Sequence, residues 1–475
     1  MQGVTSEPIR VEKIHESEAC FLIAINNKRG SNGHMNWTDK NGIICVNAKN
    51  IIPHDEALRL LLAAESGESH SDLVRDELAA IISHWLQSPY ESPILLQESH
   101  GKKWRNILGY WSLLVNRSPA ESLAPGKTGA PLKIDFSRIP FPPLGKPKFT
   151  FIDLFAGIGG FRIALQNLGG KCVFSSEWNQ QAKETYFKNY GEVPFGDIKQ
   201  FTAAGSTRAS LVSSIPRPDI ITGGFPCQAF SQAGKQLGFK DARGTLFFDI
   251  LEMTKALRPK ALILENVKRL RRHDGGKTFA VITNSLRELD YKVYSKVLRA
   301  SDFALPQNRE RIFIVAFDKA LHFDFPEPMN LATCVADILE EKVDDRFTIT
   351  DRIYEGHKRR VREHRARGNG FGFSVFKPEV AYTNTISARY WKDGSEILID
   401  QGERNPRMLT PRECARLQGF EDEFMPHQSR RHAYQQFGNS VPVPVVQKVA
   451  EMVLLALVEK RKAKSLLDPL AIVTL

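Results

Sequence analysis

Cys227 stands in GGFPCQAFS (223–231), directly after the apolar run PDIIT. A cysteine is strongly nucleophilic even when only a small fraction is thiolate, so a thiol shown in a loop can open a covalent route. A lone cysteine is more often a small buried hydrophobe. Here it follows Pro226 at the carboxyl end of a strand, where open α/β sheets place ligands, and that position favours chemistry. Glu265 closes the apolar run ALILEN; it is either a satisfied structural carboxylate or an acid whose pKa is raised by partial burial. Arg309 and Arg311 in QNRER lie at i and i+2, a spacing that points both side chains the same way on an extended segment. As a pair they can clamp a polar ring or a phosphate; singly they would be surface salt-bridge residues.

A second group surrounds FIDLFAGIGG (151–160). Glycines there allow a tight turn from strand to helix, with free helix N–H groups facing a ligand. Glu177 follows Gly157 by twenty residues, the place from which a carboxylate accepts both ribose hydroxyls. Trp178 beside it can stack on an adenine, and Asp197 in FGDI can hold an adenine amino group. The dinucleotide fingerprint GxGxxG is absent, which argues against a nicotinamide-dependent dehydrogenase.

These residues need strands to end beneath them. FTFIDL, CVFSSE, PDIITGG, ALILEN and RIFIVAF are short apolar runs, and helical patterns separate them over Gly159–Leu168, Leu246–Leu257 and Thr278–Leu289. That alternation predicts an α/β fold with a mostly parallel sheet covered on both faces. Asp318 to Pro406 reads as irregular and basic, including HKRRVREHRARGNGFGF (357–373). Regular patterning returns over Leu409–Phe420 and in a helix over Pro444–Lys460. Before the sheet, Asp72–Gln87 has helical spacing, and Arg117–Lys148 has the Pro, Gly and Ser content of a linker.

The chain has 475 residues, a formal net charge of +11, 42% apolar residues and 25% charged residues. That length suits two or three domains, and the basic excess suits a partner bearing phosphates. Six cysteines stand at Cys20, Cys45, Cys172, Cys227, Cys334 and Cys414, with no CxxC pair, so no metal site or disulfide framework is expected. The apolar run Met452–Val458 is too short to span a bilayer, and the first residues are polar without the apolar core of a secretion signal. A cytoplasmic location is expected.

FAGIGG, SEW, GDI, GFPCQAFS, RGTLFFDI, ENV, QNRER, LTPRECARLQGF and FGNSVPVPV occur in the order found in bacterial DNA (cytosine-5)-methyltransferases. The resemblance runs from about 149 to 460. It implies a Rossmann-like S-adenosylmethionine-dependent methyltransferase domain over 149–318, completed by 406–462. A smaller irregular target-recognition domain would occupy 319–405, and an N-terminal extension of unknown role 1–145. It implies that Cys227 is the nucleophile, that Glu265 touches N3 and the exocyclic amine of cytosine, and that Arg309 and Arg311 hold the ring and orient the glutamate. Phe155, Gly157, Glu177, Trp178, Asp197, Ile198, Pro226, Leu246, Asn439 and Ser440 would line the S-adenosyl-L-methionine pocket. A loop from Gln228 to Arg243 would close on double-stranded DNA, with Gln228, Ser231 and Arg243 in contact. Arg365, Arg367 and Arg389 would contact DNA from the target-recognition segment, where Lys358, Arg359, Arg360 and Arg362 add charge. ARGNGFGF with ISARYWKDGSEILID resembles the recognition segments of enzymes acting on sites of the CC…GG class. The family's habit implies a monomer, working either as the modification enzyme beside a companion restriction endonuclease or as an orphan relative.

Two rivals share much of this pattern. A tRNA cytosine-5 methyltransferase would keep the Cys loop and ENV but carry a short, less basic insert, unlike the insert of about 87 residues here. A catalytically dead DNA-binding relative would not need Cys227, Glu265, Arg309 and Arg311 intact.

Overall fold

The computed structural model describes residues 133–202, 212, 215–226, 246–368 and 372–466, with shorter stretches at 11–13, 20–23, 45–47, 51–55, 57–59, 62 and 77–87. Two compact units divide the chain. One comprises Met1–Pro142 with Gly191–Val193; the other comprises Pro143–Tyr190 and Pro194–Leu475.

Within the first unit, Val11–Lys13, Cys20–Ile23 and Cys45–Asn47 form a small antiparallel sheet, and Ile51–Pro53 pairs in parallel with Lys133–Asp135. Its helix covers Glu77–Leu86, the described part of the helix expected over Asp72–Gln87. His84 meets the buried Glu192 at 2.8 Å, and Ser83 Oγ accepts the Val193 N–H at 2.9 Å. His54 is buried, and burial pushes its pKa down to about 4 against the pull of Asp55 and Glu192.

The second unit is built on a six-stranded sheet. Its strands are β1 (Phe149–Leu154), β2 (Gly170–Ser176), β3 (Ile220–Gly224), β4 (Ala261–Val267), β5 (Lys292–Arg299) and β6 (Glu310–Phe317). Their spatial order is β2-β1-β3-β4-β6-β5. β2, β1, β3 and β4 run parallel, whereas β6 is antiparallel to both β4 and β5. Central strands such as β4 are buried along almost their whole length, which is why they read as continuous apolar runs. β5, an edge strand, exposes Lys292, Ser295 and Arg299 and has no such run. A single parallel bridge, Ser176 to Phe195, continues the sheet beyond β2.

Helices α1 (Gly160–Asn167), α2 (Gln180–Tyr190), α3 (Lys199–Thr202), α4 (Leu246–Leu257) and α5 (Lys277–Glu288) connect these strands. The α/β expectation is borne out, with the reversed pair β6 and β5 as a departure at one edge.

The stretch expected to be irregular is partly regular. HKRRVREHRA is the body of a 16-residue helix, α6 (Asp351–Ala366), whose N-terminus is capped by Thr350. Its contact stripe is Tyr354, His357 and Val361, narrow enough to be hidden by the surrounding charge. Three short strands accompany it: β7 (Val375–Phe376), β8 (Leu398–Gln401) and β9 (Arg404–Met408). The sequence TPRE then starts α7 (Pro411–Leu417) through a capping box. Thr410 Oγ1 accepts the Glu413 N–H at 3.1 Å, and Glu413 accepts the Thr410 N–H at 2.8 Å. Glu413 is fully buried and takes both Arg407 guanidinium nitrogens at 2.8 Å.

The chain closes with α8 (Arg430–Asn439) and α9 (Val443–Leu466), and α9 packs back on α1. Arg430–Val458 passes a length-and-composition test for a membrane span among the described residues. It is nonetheless two helices, parted at Ser440–Pro442, and α9 buries Val445, Val446, Val449 and Val453.

Candidate active site

β1 ends at Leu154, and the backbone then turns through left-handed conformations at Phe155 (φ 55°), Gly157 (φ 56°) and Gly159 (φ 85°). Phe155 bears a side chain in that region, a strain that persists only where the surroundings impose it. Gly159 is required twice over: a Cβ there would lie 2.3 Å from the Tyr190 ring, whose hydroxyl donates to the Gly159 carbonyl at 2.9 Å. Among the described residues nothing stands within 4 Å of where a Gly157 side chain would project, so they leave space open above the turn.

Backbone bonds bring three segments to that space. Ala156 N–H donates to Ser176 O, Glu177 N–H to Phe195 O, and Phe195 N–H to Ser175 O. Glu177 is therefore held beside the glycine turn, its carboxylate accepting the Gly157 N–H at 2.8 Å and the Asn179 N–H at 2.7 Å. Burial raises its pKa, and those amide hydrogen bonds oppose the rise. Trp178 is 77% exposed although its neighbour is buried. Asp197 is exposed and accepts the Lys199 N–H at 3.1 Å, and Ile198 is buried. Ser440 lies beside the start of α1, since a Cβ on Gly160 would come 3.0 Å from its Oγ. Asn439 and Pro226 are exposed, while Phe155 and Leu246 are half-buried. An open glycine turn, a fixed carboxylate, an uncovered indole and an exposed aspartate fit the ribose and purine of S-adenosylmethionine.

On the other side of β3 lies a different set. Gly224 is in register with Glu265, and a Cβ on Gly224 would sit 3.4 Å from Glu265 Oε2. Glu265 is 8% exposed, and Arg311 Nε donates to its Oε1 at 2.9 Å. Burial raises the Glu265 pKa, while the charges of Arg311 and then Arg309 pull it down. Asn266, which the sequence reading passed over, donates Nδ2 to the Phe225 carbonyl at 2.7 Å. That bond fixes the chain two residues before Cys227. Cys227, Gln228, Ser231 and Arg243, with the whole expected loop 228–243, lie outside the described residues.

The two arginines both act on Glu265 through their charge, but their hydrogen bonds differ. β6 begins only at Glu310, and the Arg309 N–H turns back to Gln307 O, so strand alternation does not govern Arg309. Arg311 meets Glu265. Arg309, 2% exposed, donates instead to three backbone carbonyls: Ile386 at 3.0 Å, Gly438 at 3.1 Å and Ser440 at 2.6 Å. Gln307 is another omission of the sequence reading; it is buried, accepting the Ile386 N–H at 3.1 Å and donating to Leu417 O at 3.0 Å. Its signal was an amide just ahead of a buried strand.

Within 351–401, Arg360 pairs with Asp393 at 2.9 Å, Lys358 with Glu355 and Arg359 with Glu363. Arg362, Arg365, Arg367 and Arg389 are exposed, and no carboxylate pairs with them among the described residues. Phe373 stacks on His357 with centroids 5.4 Å apart, which seats that aromatic ring against α6.

The model of the family described as C-5 cytosine-specific DNA methylase matches residues 149–454. The chain is 53% identical over 313 residues to Type II methyltransferase M.DsaV of Dactylococcopsis salina, covering 65% of this chain and 87% of that protein. It is 50% identical over 329 residues to Type II methyltransferase M1.ScrFI of Lactococcus lactis subsp. cremoris, covering 68% and 82%. Among solved structures, Dnmt2 methyltransferase of S. pombe superposes with a TM-score of 0.54 at 20% identity, covering 65% of this chain and 99% of that one. At that identity the likeness bears on the fold alone.

Proposed function

Because the chain belongs to the C-5 cytosine-specific DNA methylase family, we propose that Cys227 attacks C6 of a cytosine lifted out of duplex DNA, with Glu265 protonating or hydrogen-bonding N3. The protein is a DNA (cytosine-5-)-methyltransferase that uses S-adenosyl-L-methionine and acts on double-stranded DNA.

The observation that carries the assignment of roles is the buried, Arg311-paired Glu265 set directly against Gly224, three residues before Cys227. C5 of cytosine is a poor nucleophile. Addition of the thiolate to C6 turns C5 into an enamine carbon, and an acid at N3 lowers the barrier to that addition. Arginine charge nearby favours the thiolate. When bound, S-adenosyl-L-methionine supplies the electrophilic methyl that C5 takes up. Loss of the C5 proton to water then lets the sulfur leave. A duplex base cannot be reached in its stack, so it must be extruded into this pocket, at a cost of a few kcal/mol.

Glu177, Trp178 and Asp197 would hold the adenosine, the turn at Phe155 and Gly157 would approach its sugar, and Ile198, Pro226, Leu246, Asn439 and Ser440 would complete the pocket. Residues 319–405 serve as the target-recognition domain, with Arg365, Arg367 and Arg389 toward DNA. Gln228, Ser231 and Arg243 contact DNA from the loop. The site is of the CC…GG class, and bisulfite sequencing of DNA from an expressing host tests it: methylation confined to other sites would refute it. The protein acts as a cytosolic monomer, either beside a companion endonuclease, a setting in keeping with the Type II names of its relatives, or as an orphan enzyme without one.

Duplex DNA carrying 5-fluorocytosine at a cognate site tests the nucleophile. With cofactor present, the protein should become linked to the oligonucleotide through Cys227, and a linkage mapped to another residue would overturn the assignment. A tRNA substrate offered in parallel should stay unmethylated.

A further inference from the structure

We propose that Arg309 is a positioning residue that locks the target-recognition segment Ile386–Ala388 onto the cofactor-side turn Gly438–Ser440, so that the seat for the cofactor is completed through the segment that reads DNA. The inference rests on the proposed function for what the two segments bind.

The geometry is specific. A guanidinium presents its donors in a rigid fork, and three of the Arg309 bonds go to carbonyls drawn from two distant stretches of chain: Ile386 on one side, Gly438 and Ser440 on the other. Those stretches touch directly. A Cβ on Gly438 would fall 2.3 Å from the carbonyl carbon of Ser387 and 2.4 Å from the Ala388 nitrogen, so only glycine permits the approach.

The recognition side is fastened to the same strand entrance by further bonds. The Ile386 N–H donates to Gln307 Oε1, Thr385 Oγ1 donates to Asn308 O at 2.6 Å, and Asn308 N–H donates to Thr383 O at 2.8 Å. On the cofactor side, Gln418 Nε2 donates to Phe437 O at 2.6 Å, and the neighbouring Ser440 lies against the start of α1. Arg309 is buried, so removing its side chain takes the guanidinium donor away from all three carbonyls. A rival role remains for its Nε, which has no acceptor among the described residues and could reach a substrate ring.

The experiment compares Arg309→Lys, Arg309→Ala and Gly438→Ala in the full chain, with S-adenosylhomocysteine titrated calorimetrically in the absence of DNA. A positioning role predicts that Arg309→Ala weakens this binding by about tenfold, the equivalent of one lost hydrogen bond. Gly438→Ala should do the same although it carries no group able to touch a base. Arg309→Lys should recover part of the loss, and the two damaging substitutions together should be less than additive. Hydrogen exchange at the amides of 386–390 should quicken in Arg309→Lys and Gly438→Ala. Unchanged exchange, or unchanged DNA-free binding alongside loss of the fluorocytosine adduct, would assign Arg309 to the ring and overturn the proposal. Exchange needs no cofactor. A parent protein that failed to bind S-adenosylhomocysteine would therefore count against the proposed function, while exchange still judged the lock.

Discussion

Two glutamates stand at strand ends of the same sheet, with β1 and β3 between their strands, both buried and held in opposite ways. Glu177, past β2, is gripped by backbone amides of Gly157 and Asn179. Glu265, in β4, is gripped by the guanidinium of Arg311. Burial raises both pKa values. Fixed dipoles beside Glu177 cannot move or change charge, which suits a group that must hold a neutral sugar in one pose. A guanidinium can shift when a ring arrives, which suits a group whose proton takes part in a reaction. In the proposed reading the same side chain serves binding or catalysis according to what neutralises it.

Exchanging each acid for its amide should separate them most sharply. Glu265→Gln should lower kcat by ~100- to 10,000-fold, the usual reach of a general acid, with DNA-free cofactor affinity kept. Glu177→Gln should instead raise KM for the cofactor and leave kcat at saturation near the parent value. If both substitutions act on kcat alone, the contrast between the two acids is wrong. Initial rates over a grid of cofactor and DNA concentrations decide it.

Removing the partner should come next in size. Arg311→Ala strands Glu265 beside one fewer cation, so the Glu265 pKa rises further and its proton is held to higher pH. The alkaline limb of kcat should move upward, and stability should fall by about 3–5 kcal/mol at neutral pH, as for a broken buried pair. A pH-rate profile with a denaturant melt checks both.

A smaller effect concerns pH and stability. Glu265 binds its proton more tightly folded than unfolded. Its stabilising contribution is therefore complete below the ordinary carboxylate pKa and is lost as pH rises through the raised folded value. The melting temperature of the parent minus that of Glu265→Gln should decline over that window. A constant difference would mean that the carboxyl is not perturbed.

The smallest expected change lies far from either acid. Arg365→Ala and Arg367→Ala should alter stability by less than about 0.5 kcal/mol, since both are exposed. Each should reduce the salt slope of DNA binding by about one if it meets a phosphate.

Much of this was legible because burial on both faces makes a strand announce itself. FTFIDL, ALILEN and RIFIVAF are such strands, and the groups at their ends could be named from residue type. β5 was missed because KVYSKVLR is an edge strand with an exposed serine and a half-buried lysine in its interior. α6 was missed because three contact residues, Tyr354, His357 and Val361, are scattered among seven other lysines, arginines and histidines. Asn266, Gln307 and Arg309 act on backbone carbonyls or amides, partners that a side-chain pattern cannot display. The alternation rule failed at Arg309 because the strand starts one residue later.

The helix that packs against α1 is the last described element of the chain, and two of the carbonyls that receive Arg309 lie 129 and 131 residues beyond it. During synthesis the half that grips the nucleoside leaves the ribosome first, yet its outer surface and its buried cation wait for the tail. A nascent polypeptide stopped short of residue 438 lacks two of the carbonyls that receive Arg309 and the helix that covers α1.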